Sequence, residues 1–354
     1  MIDYQAKFKQ KLIFILLIIL IVPFIIIFYS GQKSDSDIKQ PHTVSIKQTT
    51  TLGLRGTIQD IQLSKDSKIA YVAAASRGVY IIDIGNPLKP KLISQFKYFK
   101  NSYDKARSIK LAEDKNILFV RDAQAGIYSI DIANPSEPKL LATYKSQVPI
   151  YKFCISNKKD KIYISDADGI KIADITNADT IKVMITYDKK KKYCDMVEVK
   201  ENILYLLSAY GIDIVNISFS QESKLVGNYL TSGDAKKITV SKNKTRAFVS
   251  SGYNGVEIVN IANKLNPKPL GIYKTSHMAK KAIVSKNAKT LYISNLNDII
   301  DIVDIANPDD AKLLQEININ PTKKAQIGSM ALSIDEDKLF VANGIGGFKV
   351  IHLR

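Results

Sequence analysis

The fifteen residues GVYIIDIGNPLKPKL (78–92) return almost unchanged as GIYSIDIANPSEPKL (126–140), 48 positions later. The phrase then decays through GIKIADITNAD (from Gly169), GIDIVNISFSQESKL (Gly211), GVEIVNIANKLNPKPL (Gly255) and IIDIVDIANPDDAKLL (Ile299), and ends in a short copy, GFKVIHLR, from Gly347. Each copy can be anchored on the acidic or amide residue before the closing aliphatic. The anchors are Asp83, Asp131, Asp174, Asn216, Asn260 and Asp304, with His352 in that place in the last copy. The steps are 48, 43, 42, 44, 44 and 48 residues. Seven copies at this spacing match the period of a propeller blade.

Upstream of each phrase lies a second half, such as IQDIQLSKDSKIAYVAA (58–74). Apolar residues alternate (Ile61, Leu63), the polar SKDSK breaks the run, and a second apolar run follows at Ile69–Ala73. Alternation, turn residues and then β-branched or aromatic residues signal a hairpin. GVYIIDI supplies a third strand. The prolines of NPLKP must leave the sheet, because proline cannot donate to a ladder. KLISQF (91–96) supplies a fourth strand. The predicted fold is all-β, a seven-bladed propeller of four-stranded antiparallel blades, because such units bury their faces only by stacking on one another. The last copy has no fourth strand. Residues 42–52, HTVSIKQTTTL, resemble KPKLISQFK and are expected to pair with the last blade and close the ring. Tyr71, Tyr163, Tyr205 and Tyr292 share the second-strand position with Phe119, Phe248 and Phe340, which predicts packing between blades. The recurring Asp83 and Asp131 and their equivalents read as strand-end or turn residues.

The stretch YVAAASRGVYIIDIGNPLKPKLIS resembles the LVIVD-repeat family of β-propellers, whose unit is a glycine, branched aliphatics, an aspartate and a proline-rich turn. The resemblance covers about residues 54–354. It is good in the first two repeats and fair in the fifth and sixth, while the third, fourth and seventh have lost the prolines. It implies an extracytoplasmic propeller and brings no catalytic residues.

The N-terminus is different material. LIFILLIILIVPFIIIFY (12–29) is eighteen apolar residues without a charge, enough for one transmembrane helix ahead of the ring. Lys7, Lys9 and Lys11 precede it, which predicts a cytoplasmic 1–11 and a propeller in the periplasm or outside the cell. Against a cleaved signal peptide stand the long apolar run and bulky Phe28 near the best cut. Residues 30–41 then form a tether, and 42–354 the propeller. The two cysteines, Cys154 and Cys194, fall about four residues out of step on neighbouring strands, too far for a disulfide. They are expected to be free and mostly buried.

The net charge is +17, of which the first eleven residues carry +2. Behind a membrane anchor that excess points to an acidic protein or an anionic envelope polymer, and not to nucleic acid. A Lys-rich solvated surface is the plainer explanation. Aligned blades place Gln59–Asp60, Arg107–Ser108, Tyr151–Lys152, Asp195–Met196, Lys236–Lys237, Lys280–Lys281 and Gly328–Ser329 at the starts of the innermost strands. Arg107, Lys152, Lys236, Lys237, Lys280 and Lys281 would then gather at one channel mouth against two acids, as an anion- or partner-binding site. A secondary basic loop is Lys189, Lys190, Lys191 and Lys192. His42, His277 and His352 show neither triad nor metal spacing. DADG (166–169) looks like the start of a calcium loop, but it sits where other blades place a hairpin turn and lacks the downstream ligands. No catalytic residue, metal site or cofactor is assigned. The reading is a membrane-anchored, non-enzymatic binding module. Its rivals are a small-ligand or hydrolytic propeller acting on lactones or sugars, and a purely structural envelope protein.

Overall fold

Period-two alternation and turn chemistry in each repeat give four antiparallel strands, and the computed structural model shows them blade by blade. It describes residues 46–97, 105–122, 126–187, 192–218, 224–320 and 325–353. Blade 1 is β2–β5 (Asp60–Leu63, Ile69–Ala73, Val79–Asp83, Lys91–Phe96), after a leading strand β1 (Ile46–Leu52). Blade 2 is β6–β9 (Ser108–Ala112, Ile117–Arg121, Gly126–Asp131, Lys139–Lys145), and blade 3 is β10–β13 (Ile150–Ile155, Lys161–Asp166, Gly169–Asp174, Lys182–Tyr187). Blade 4 is β14–β17 (Asp195–Lys200, Ile203–Ser208, Gly211–Asn216, Lys224–Leu230), and blade 5 is β18–β21 (Lys237–Val240, Arg246–Ser250, Val256–Asn260, Lys268–Tyr273). Blade 6 is β22–β25 (Ala279–Val284, Thr290–Asn295, Ile299–Asp304, Lys312–Asn318), and blade 7 begins with β26–β28 (Ser329–Leu332, Lys338–Ala342, Phe348–Leu353). The fourth strand of blade 7 is β1, in the order β1-β28-β27-β26, with Leu52 opposite Phe348 and Ile46 opposite Leu353. The described residues thus form a closed seven-bladed propeller. Residues 1–45 lie outside the described residues, and with them the segments expected to form the anchor and tether, and His42. No helix among the described residues is long and apolar enough to cross a membrane.

The core is seven clusters, one at each junction of neighbouring blades. Blade 7 meets blade 1 through Phe340, Phe348 and Val350 against Ile61, Val72, Tyr80 and Ile82. The aromatic second-strand position is buried in every blade. Between the third and outer strands of blades 1–6 the register slips at the same place. In five of the six blades the extra residue of this bulge is an aliphatic, and Ile93, Leu141, Val226, Leu270 and Leu314 pack onto the junction clusters, while in blade 3 it is the exposed Met184.

The repeated phrase has a physical account, letter by letter. Its anchor is an Asx turn: Oδ1 of Asp83, Asp131, Asp174, Asn216, Asn260 and Asp304 accepts the N–H two residues on. The proline loop leans on the preceding blade, where Ser94 Oγ donates to the Pro135 carbonyl at 2.6 Å. The opening glycine is required. Gly255 has φ +86, and a Cβ there would stand 2.0 Å from the Tyr273 carbonyl oxygen. Gly255→Ala is therefore expected to cost about 2–4 kcal/mol, from left-handed strain and the clash together. The drop would appear as a lower urea midpoint, with Gly53→Ala, which meets nothing within 4 Å, as the silent control.

Candidate functional site

The seven innermost strands stand in a ring, each packed beside the next, with β26 beside β2. Alternation turns every second side chain toward the axis. Hairpin register puts Asp60, Ser108, Lys152, Asp195, Lys237, Lys281 and Ser329 at one level. Lys110 and Cys154 lie one level deeper. Asp60, Lys110, Cys154, Asp195, Lys237 and Lys281 line a channel cavity of about 500 Å³.

The upper level is a belt of ion pairs. Lys152 Nζ and Lys237 Nζ both approach Asp195 Oδ1 at 3.5 Å, and Asp195 Oδ2 accepts the Ile238 N–H at 3.1 Å. Across the channel, Lys281 Nζ stands 4.0 Å from Asp60 Oδ1 and donates to Ser329 Oγ at 2.5 Å. Asp60 Oδ2 accepts the Ile109 N–H at 3.1 Å. Each aspartate therefore also ties its blade to the next. Burial works against ionising Asp195, but Lys237 and Lys152 outweigh it and hold the carboxyl at about 2. Asp60 is likewise held at about 2, by Lys281 above all, against its burial. The lysines diverge. Burial and the neighbouring Lys237 push Lys152 down to about 7, against the pull of Asp195. Burial brings Lys281 to about 8. Lys237 is buried too, yet Asp195 carries it upward.

The expected mouth of six cations is thus corrected. Lys152, Lys237 and Lys281 face the channel, where Asp60 and Asp195 pair with them. Arg107 and Lys236 are exposed outside it, and Lys236 pairs with Asp234. Lys280 is half-buried and does not line the cavity. Two adjacent strand residues point to opposite faces, so only one of each basic pair can look inward. Blade 4 is also one residue out of step with the sequence alignment. Asp195, not Met196, is the inward residue there, because β14 carries a bulge between Glu198 and Lys200. Lys110 was missed. Period-two counting from Ser108 finds it.

Both thiols are free. Cys154 is buried in the channel wall, and burial pushes it up to about 12. Cys194 is exposed, which corrects the expectation of a second buried thiol, and the bulge makes its offset from Cys154 three residues instead of four. Lys189, Lys190 and Lys191 lie outside the described residues, and Lys192 sits 4.6 Å over the Tyr151 ring. The DADG turn is tied internally: Asp166 Oδ1 accepts the Asp168 N–H, and Lys171 pairs with both carboxylates. Among the described residues no group of three or more His, Cys, Asp or Glu is placed to hold a metal ion. No histidine lines the cavity.

No curated protein matches the chain. The LVIVD repeat model matches residues 55–97, 105–146 and 232–275, which are blades 1, 2 and 5. The ring is therefore built, in these three blades, from the LVIVD repeat, and the chain is a seven-bladed β-propeller that carries that repeat at three positions.

Proposed function

We propose that this propeller is a membrane-anchored, extracytoplasmic binding module without enzymatic activity, which docks an acidic protein on the face where the innermost strands begin. The carrying observation is a contiguous exposed patch at blades 4 and 5. Tyr210, Leu230 and Tyr253 are 80%, 75% and 76% exposed. Gly211 pairs with Leu230, and Asn254 reaches the Ser232 carbonyl, so the three side chains rise from neighbouring turns. Lys236 follows Ala235, whose N–H meets the Ala209 carbonyl beside Tyr210. From Leu230 a shallow groove of about 510 Å³ runs toward Ile272, between the outer strands. Large apolar side chains gathered in one place mark a protein-binding surface. Exposed tyrosines on a chain of net charge +17 suit an acidic partner, and Leu230 with its groove favours a protein over an envelope polymer. The anchor half of the reading is supported by the uncharged run 12–29 and the lysines before it.

The test is crosslinked capture from solubilised envelopes, using the full chain in detergent. Its variant carries Tyr210→Ser, Leu230→Ser and Tyr253→Ser, surface changes that leave melting within about 0.5 kcal/mol per site. The expected result is one partner held by the wild type, released by salt and lost in the variant. A partner retained by both baits would move the site. No partner on either would sink the docking reading in favour of a structural envelope role. Release of the chain from membranes by an alkaline wash would sink the anchor.

A further inference from the structure

The channel belt is unbalanced. Lys110, Lys152, Lys237 and Lys281 converge on the axis from four blades, against Asp60 and Asp195. Both carboxylates are already engaged. Each gives one oxygen to a backbone N–H of the next blade and the other to lysine. Glu198, the third acid on the cavity wall, is taken by the Tyr163 hydroxyl and by the Asn157 and Asn202 N–H groups. Lys110 makes no ion pair with any described residue, and Lys152 and Lys237 crowd onto a single oxygen of Asp195. A half-buried surplus of positive charge is costly unless something offsets it.

We propose that the channel cavity binds a small oxyanion of the phosphate class, seated between the ammonium groups of Lys110, Lys237 and Lys281. The donors arrive from three directions as point charges, which suits a tetrahedral anion. A planar carboxylate is better matched by a guanidinium fork, and no arginine lines the cavity. Lys159 and Lys244 line it farther along, so an anion entering from that side meets cations throughout. Ile155, Val197 and Ile283 form an apolar wall beside the site. The cavity therefore has room for a small neutral body esterified to the phosphate as well as for the free ion. This site is separate from the outer docking patch and stands or falls without it.

The experiment follows melting and heat of binding for the full chain in detergent at pH 7 and constant ionic strength. The probes are inorganic phosphate, glycerol phosphate and acetate. The expected result is a saturable rise in melting temperature with the phosphates and none with acetate. Tighter binding of glycerol phosphate would identify an ester, and equal or tighter binding of inorganic phosphate the free ion. Lys110→Met should weaken binding about 10-fold or more, a loss of one well-made charge contact. Lys110→Met should melt no lower than wild type without phosphate, since it removes an unpaired cation, and Lys110→Arg should keep binding. Affinity should fall as pH rises through 7–8, as Lys152 and Lys281 give up their protons. Asp60, Asp195, Lys110 and Lys237 are the other charged groups of this belt; the two aspartates are held at about 2 and Asp195 carries Lys237 upward, so these three do not change charge over that range. No saturable effect, or an equal effect in wild type and Lys110→Met, would overturn the proposal.

Discussion

Deleting residues 46–52 should open the ring and remove on the order of 5 kcal/mol of stability or more, although it removes only one outer strand. Six residue pairs join β1 to β28. At about 0.5–1.5 kcal/mol per hydrogen bond, the lost ladder accounts for several kcal/mol. Packing adds to it: Leu52 lies against the cluster between blades 7 and 1, and Ile46 against the cluster between blades 6 and 7. The deletion would also leave β28 as a bare edge carrying Val350, Ile351 and Leu353. The measurement is thermal and urea unfolding of the full chain with and without the segment. A synthetic peptide of residues 42–54 should restore much of the loss in trans, and a scrambled peptide none. A deletion that melts like the wild type would mean that three strands suffice for blade 7.

Asp195→Leu should cost about 3–5 kcal/mol, because it strands two buried ammonium groups and one N–H, and breaking a buried pair from one side is the expensive case. Lys152→Met added to it should recover a large part, since the double variant carries one cation fewer with no anion to answer it. The pH dependence gives an independent check. Lys152 binds its proton below about 7 in the fold, against 10.5 for an ordinary lysine. Between those values the unfolded chain holds a proton that the folded one lacks, so stability rises with pH. Without Asp195 the folded Lys152 loses its proton at still lower pH. The deficit of Asp195→Leu should therefore be larger at pH 6 than at pH 9. An equal deficit at both would show that the carboxylate acts through Ile238 and Lys237 and not through Lys152.

The blade plan was legible because it depends on local chemistry written several times over. Ile69–Ala73 and Lys91–Phe96 occur in the structure with the limits that alternation and proline placement gave them. The site was less legible, for two reasons seen in particular residues. Charge at a strand start does not say which way the side chain points, and this separated Lys237 from Lys236 and Lys281 from Lys280. A bulge leaves no clear mark in one sequence, so the alignment of strand starts set Met196 level with Lys152 and Lys237, where Asp195 belongs. The patch of Tyr210, Leu230 and Tyr253 was also passed over. Its residues sit where the repeats differ, and burial had to be known before their exposure meant anything.

The pairing of β1 with β28 has a temporal consequence. β28 is made some three hundred residues after β1, so no nascent chain and no truncated product can complete blade 7. Until then the leading strand must wait unpaired, and six finished blades stand as an open arc. Closure thus works as a proofreading step. A chain interrupted anywhere before Phe348 keeps a frayed margin that proteases can recognise, and a finished one conceals it.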